Sequence, residues 1–225
     1  MNRTTILVWD APTRVFHWVL ALSFTGAFLT AESERLRDVH VVLGYTALAM
    51  IAFRVIWGLV GTRYARFRSF AVAPRAVLAY LKSLLGPRPQ HFVGHNPAGS
   101  IVIYAILLLG VLTAVSGYAN YNDLGGKWLE ELHEGFANAM LAVVFVHVGG
   151  VIVASLLHRE NLARAMVTGY KSGTPAEGIR SARWVVAAVL IAGIAALWAG
   201  VVPVTEQASV VKAVPTQRAQ QRHDG

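Results

Sequence analysis

Five long stretches of this chain are almost free of charge, and short polar segments separate them. They run from Val15 to Ala31, from Val39 to Phe53 (continuing past Arg54 to Gly61), from Asn96 to Asn122, from Gly135 to Leu157 and from Trp184 to Thr205. A helix needs about 20 apolar residues to cross a hydrocarbon layer of about 30 Å. Five stretches near that length predict five transmembrane helices. The first is the shortest, with Trp9, Trp18 and the preceding loop extending its reach. It is longer than the apolar segment of a secretory signal and it carries His17, so it reads as a span rather than a leader. Trp9, Trp18, Trp57, Trp128 and Trp184 stand near span ends, where an interfacial aromatic belt accounts for them.

The segments between the spans are short, apart from residues 62 to 98. Within that loop, Pro74 to Leu85 sets Val77, Leu78, Leu81, Leu84 and Leu85 at helical spacing among basic positions. This predicts an amphipathic interfacial helix, opened by Pro74 and stopped by Gly86-Pro87. Gly94-His95-Asn96-Pro97-Ala98-Gly99 follows as a turn-forming string. Spans one to four read as one bundle. Span five, which has no ionisable residue, reads as an appendage followed by a polar tail from Glu206. The expected fold is all-α, an integral membrane four-helix bundle plus a fifth C-terminal transmembrane helix. Residues 1–173 form the membrane domain, with spans at about 14–31, 38–61, 97–120 and 133–157. Residues 174–205 are a linker and the fifth helix, and 206–225 a flexible polar tail.

Composition fits this picture. Of 225 residues, 55% are hydrophobic and 14% charged, against about a quarter charged in soluble domains. The net charge of +8 would suit nucleic acid in a soluble protein, but here its placement carries the meaning. The loop after span two holds Arg63, Arg66, Arg68, Arg75, Lys82 and Arg88 with no acid, and the loop after span four holds Arg159, Arg164, Lys171, Arg180 and Arg183. The alternate loops carry Glu32, Glu34, Arg35, Arg37 and Asp38, and then Asp123, Lys127, Glu130, Glu131 and Glu134. Basic loops stay in the cytoplasm. The expected placement is therefore a bacterial inner membrane, with the N-terminus cytoplasmic, the C-terminus periplasmic and no nucleic-acid partner. The chain has no cysteine. That excludes Cys-x-x-Cys-His haem attachment, cysteine-ligated iron–sulfur clusters, disulfides and thiol catalysis.

The chemistry then rests on the eight histidines. His223 lies in the tail, and His91 and His95 in the basic loop. His17, His40 and His133 stand at or near span edges, His147 is well inside span four, and His158 is at its far end. Ionisable residues within spans usually face a cofactor, a cavity or a partner. His133 and His147 are 14 residues apart, which brings them within about 40° of one helix face and about 21 Å apart along the axis. One metal ion cannot use both, whereas two stacked haems would. The alternating direction of the spans sets His17 and His147 at one depth, and His40 and His133 at the other. Two pairs at two depths fit two bis-histidine haems in a four-helix bundle.

In span two, His40, Gly44, Ala47, Ile51, Arg54 and Gly58 form one stripe, with small residues where a porphyrin can approach the backbone. Arg54 reaches the depth of the inner pair, where a guanidinium can meet a haem propionate. Other readings stand beside these. A lone membrane histidine is often an interfacial residue or an interhelical hydrogen-bond donor. His158 is a rival ligand on nearly the face of His147, though its neighbours Arg159 and Glu160 mark it as a surface residue. Arg54 can snorkel to the cytoplasmic surface, and small residues can be ordinary helix-packing positions.

At these residues the sequence resembles the bacterial cytochrome b-561 family, which includes the b-type subunit of nickel–iron hydrogenases. The resemblance covers roughly residues 8 to 173. It rests on Trp9-Asp10-Ala11-Pro12-Thr13-Arg14 leading to His17-Trp18, on His40 with Gly44-Tyr45, on Phe53-Arg54 and Trp57-Gly58, and on the Gly94–Gly99 string. His133-Glu134, His147, His158-Arg159-Glu160-Asn161-Leu162 and Ala165-Met166-Val167-Thr168-Gly169 complete it. It implies two non-covalent haem b groups ligated by His17, His40, His133 and His147. It also implies electron transfer between membrane quinone and an extracytoplasmic partner: a dehydrogenase or hydrogenase, a cytochrome c or, in some members, superoxide. The chain would then be an electron-transfer subunit of an oxidoreductase system. Span five departs from the four-helix pattern of the simplest members. The acidic outer loops disfavour steering of an anion such as superoxide and suit a basic docking partner. The sequence does not locate the quinone: the basic inner loop with His91, His95 and Asn96 is a candidate through its nearness to the inner haem, and a structural turn closed by Asn-Pro and Gly is an equal reading of the same residues. A cofactor-free transporter or scaffold subunit is the alternative from another class, but it would need its ligands gathered at one point rather than in two layers.

Overall fold

In the computed structural model, residues 4–70, 73–87 and 89–200 are described, and they form seven α-helices and one two-stranded sheet. Arg88, His223, the end of the fifth span at 201–205 and the tail from Glu206 lie outside the described residues. Helix α1 (Ala11–Thr30) starts at Asp10, whose carboxylate accepts the Thr13 N–H at 2.8 Å, with Pro12 in the first turn. Helix α2 is Arg37–Val60, and α3, the amphipathic segment, is Pro74–Leu84. Helix α4 (Pro97–Tyr121) is capped by Asn96, whose side-chain oxygen accepts the Gly99 N–H at 2.7 Å. The string around Asn96-Pro97 is thus a helix start. Helix α5 (Lys127–His158) begins six residues before His133 and ends where Arg159 takes a left-handed conformation at φ 51°. Helices α6 (Leu162–Thr168) and α7 (Trp184–Gly200) follow. Among the described residues, three helices, α2 with its preceding turn, α4 and α5, are long and apolar enough to cross a membrane.

Helix α1 packs along α2, α4 along α5, and α2 against α4, while α5 makes few direct contacts with α1 or α2. Phe16, Leu20, Met50, Ile51 and Leu107 form the apolar core between α1, α2 and α4. Leu190 and Ile194 of α7 pack on that core, and Trp198 Nε1 donates to Thr46 Oγ at 3.0 Å. The fifth helix is therefore not the appendage expected from its lack of ionisable residues. Close packing between apolar helices needs no charge.

A cap closes the end at which α1 and α4 begin and α2 and α5 finish. Strand β1 (Thr4–Leu7) pairs antiparallel with β2 (Tyr170–Gly173), from Thr4 opposite Gly173 to Leu7 opposite Tyr170. The Gly169 carbonyl accepts from both Val8 N (2.9 Å) and Trp9 N (3.0 Å). Gly169 has φ 89°, and a Cβ there would stand 2.7 Å from the Trp9 carbonyl, so only glycine suits the position. Ile6, Val8, Trp9, Tyr64 and Ala165 form the core of the cap.

Beneath β2, the side chain of Lys171 is 4% exposed and pairs with Glu160 at 3.4 Å, and His91 meets the same carboxylate at 3.5 Å. Burial alone would raise the Glu160 carboxyl. The Ser172 N–H, Lys171 and His91 outweigh it and hold Glu160 below the usual carboxylate range. A carboxyl with a depressed folded-state pKa stabilises the fold above its unfolded value, and that contribution is lost as pH falls through the folded value. Acidification through this range is expected to loosen the β1–β2 pairing, read as faster amide exchange at residues 4–7 and 170–173. Glu160→Gln is expected to cost about 2 kcal/mol, between a surface pair and a fully buried one, and to remove most of that pH dependence. Unchanged exchange at low pH in the native chain would refute this role.

Two facing histidine pairs as a candidate cofactor site

The rings of His17 (α1) and His147 (α5) face one another with centroids 6.2 Å apart, inclined at 52°. Those of His40 (α2) and His133 (α5) stand 6.0 Å apart at 80°. The first pair lies towards the capped end and the second towards the far end. Helical phase explains both from one helix, since 14 residues are close to four whole turns. A first-row metal ion binds imidazole nitrogen at about 2 Å, so an iron between two imidazoles would hold their centroids about 6 Å apart. Both pairs have that spacing. They bridge the gap between α5 and the α1–α2 hairpin.

The far pair is held by backbone on two sides. His40 Nδ1 is 2.8 Å from the Ala27 carbonyl, and His133 Nδ1 is 2.8 Å from the Thr113 carbonyl. A carbonyl oxygen only accepts, so each Nδ1 carries a proton and Nε2 is the ring nitrogen left to meet a metal. Ser116 Oγ stands 3.5 Å from the same Nδ1 of His133. A Cβ at Gly117 would lie 2.7 Å from His133 Cε1, so this glycine lets the ring rest against α4. Gly44, one turn beyond His40, has nothing within 4 Å of where its Cβ would be, so a planar group could approach the backbone there. The Nε2 atoms left open by the carbonyl contacts, the ring spacing and this open backbone fit haem.

Near the capped pair, Arg54 is 3% exposed, and its Nη1 is buried without a hydrogen-bond partner among the described residues. Its guanidinium lies over the rings of Phe67 (4.7 Å), Phe70 (5.6 Å) and Phe16 (5.9 Å). The Asp10 carboxylate is within electrostatic reach of this cation, yet its buried Nη1 has room for an anionic partner, and a haem propionate is one. Arg54 does not snorkel to the surface.

Other candidates take different places. His158 is partly buried at the end of α5, edge-on to His91 with centroids 5.4 Å apart, and away from both pairs. His95 is wedged between Trp9 (4.7 Å) and Phe70 (4.5 Å), with its Nδ1 buried and unpartnered among the described residues. Burial, reinforced by Arg54, Lys171, His147 and His17, holds its pKa down at about 3, so the ring is neutral at physiological pH. It also lines a cleft of about 390 Å³ that includes Arg63, Tyr64, His91 and Glu177. Asn96 is taken up by its cap. Sequence reasoning missed the Ala27 and Thr113 carbonyls, Gly117 and the wedge around His95. A backbone acceptor leaves no residue signature, and Gly117 is one of several glycines in apolar helices.

The sequence profile described as prokaryotic cytochrome b561 matches residues 8–169. The probable Ni/Fe-hydrogenase B-type cytochrome subunit of Azotobacter vinelandii is 26% identical over 217 residues, covering 76% of this chain and 90% of the relative. Its namesake from Cupriavidus necator is 27% identical over 210 residues, covering 73% and 86%. The probable Ni/Fe-hydrogenase 1 B-type cytochrome subunit of Escherichia coli is 24% identical over 149 residues, covering 54% and 63%. No solved structure matches the chain.

Proposed function

Because this chain belongs to the prokaryotic cytochrome b561 family and is thereby a membrane electron-transfer protein with haem b, we propose that it carries electrons through two bis-histidine haem b groups. His17 and His147 hold one haem and His40 and His133 the other. Arg54 pairs with a propionate, and Gly44 gives the porphyrin access to the α2 backbone. The observation that carries this reading is the pair of histidine contacts at 6.2 and 6.0 Å, on two levels of one helix. When bound, the haems supply the one-electron chemistry. The chain's part is to supply the axial imidazoles, to orient them and to keep water out.

In this reading residues 1–173 are the di-haem domain, with α1, α2, α4 and α5 crossing the inner membrane and α7 crossing as a fifth helix. The capped end faces the cytoplasm, the far end the periplasm, and the C-terminus is periplasmic. The exposed Glu32, Glu34, Asp38, Asp123, Glu130, Glu131 and Glu134 of the far end suit a redox partner with a basic face. The relatives' names suggest a hydrogenase, and a dehydrogenase or cytochrome c has the same electrostatic fit. Quinone exchanges electrons at the capped end, where His95 lies within electrostatic reach of both His17 and His147.

A reduced-minus-oxidised spectrum with a pyridine haemochrome assay tests this first. About two low-spin haem b per chain are expected, and a well-folded, colourless protein would leave a cofactor-free bundle instead. With imidazole on both faces of each iron, carbon monoxide is expected to bind only slowly and to a small fraction of the reduced protein. Rapid, extensive binding would show an open axial position.

A further inference from the structure

The two pairs differ in what holds their rings. At the far pair both imidazoles donate Nδ1–H to a backbone carbonyl of a neighbouring helix, each at 2.8 Å. At the capped pair His17 Nδ1 is buried with no partner, and the His147 ring makes no hydrogen bond among the described residues. A ring that donates its second N–H is a more basic ligand through its other nitrogen. Stronger donation favours ferric over ferrous iron, and hydrogen bonding to the axial ligands is one of the protein's levers on haem potential. Arg54, a buried cation over Phe16 at the same end of the bundle, would favour the extra electron there. It does so only as far as its charge exceeds that of the group it pairs with, so the hydrogen-bond asymmetry carries the inference.

Resting on the ligand assignment above, we propose that the His40–His133 pair holds the lower-potential haem and the His17–His147 pair the higher. An electron entering at the far end then runs downhill to the capped end. The far iron goes from ferrous to ferric as the other goes from ferric to ferrous, with the extracytoplasmic partner as reductant and quinone as final oxidant. Gly117 is the positioning residue for this difference. A methyl group there would stand 2.7 Å from Cε1 and 2.9 Å from Nδ1 of His133. It would push the ring off α4 and weaken its bond to the Thr113 carbonyl.

The test is potentiometric titration of the full-length haem-loaded protein, followed at the α-band, with haem content measured alongside. The native chain is expected to titrate in two steps. His40→Ala is expected to lose the lower step and keep the upper. Gly117→Ala is expected to keep both haems while moving the lower step to higher potential and leaving the upper in place. Survival of the lower step in His40→Ala would overturn the proposal, as would a Gly117→Ala protein in which the upper step moves or neither does. If His40→Ala sheds both haems, the Gly117→Ala titration decides alone. A native chain with fewer than two haems would overturn the ligand assignment itself, whereas two haems in the opposite order would overturn only the potential order.

Discussion

Substituting His147 by alanine is expected to halve the haem content, from about two per chain to about one, with the low-spin spectrum of the remaining haem intact. His147 and His17 face each other across one position, and the other pair lies four helical turns away along α5. Loss of one axial ligand leaves an exchangeable iron site, while His40 and His133 keep their carbonyl anchors. His17→Ala should lose the same haem. The double variant should lose no more than either single one, because the two residues serve one group and their effects do not add. His158→Ala is the control: eleven residues past His147, it faces His91 instead, so both haems should remain. Pyridine haemochrome assays on the four purified variants decide the matter, and haem loss in His158→Ala would break the assignment.

The largest loss of stability is expected at Asp10. Its side chain is 1% exposed and collects three donors: Thr13 N–H at 2.8 Å, Trp57 Nε1 at 3.1 Å and Thr62 Oγ at 2.6 Å. It therefore caps α1 and ties that cap to the last turn of α2 and the loop beyond. Removing a cap costs about 1 kcal/mol, and each buried donor left unpaired costs about 1–3 kcal/mol. Asp10→Ala should thus destabilise the protein by about 4 kcal/mol, against about 1 kcal/mol for Trp57→Phe, which removes a single donor. Thermal unfolding in detergent gives the comparison, and equal midpoints for the two variants would rule out Asp10 as the hub. Because α1 sets the position of His17 seven residues on, Asp10→Ala should also weaken retention of the capped-end haem before that of the other.

The helical elements and the pairing of the histidines were legible because two periodicities govern them. Charge-free length marks the helices. The residue count along antiparallel helices fixes depth, which is why His17 meets His147 and His40 meets His133 although each pair is separated by more than ninety residues. The β1–β2 sheet was not legible. Thr4–Leu7 and Tyr170–Gly173 are four residues each, lie at opposite ends of the domain and show no strong alternation of apolar and polar positions. The docking of α7 was missed because an apolar helix carries no mark of which apolar surface it covers. For Arg54 the sequence leaves two outcomes open, because the aromatic box of Phe16, Phe67 and Phe70 that buries it comes from three separate segments. His95 belongs to the same class. Its sequence neighbours announce a turn, and only the chain's return past Trp9 and Phe70 encloses it.

Helix α5 supplies one histidine to each pair, while α1 and α2 supply the others separately. The helix therefore acts as a ruler. Movements of α1 or α2 can strain or relax one site, but the interval between the two sites is written in the rise of a single rod. Between Glu134 and Val146 an insertion of one residue would turn one histidine by about 100° relative to the other and lengthen the interval by about 1.5 Å. Surface loops tolerate such changes far better. The stretch should therefore drift in residue type over time yet hold its length.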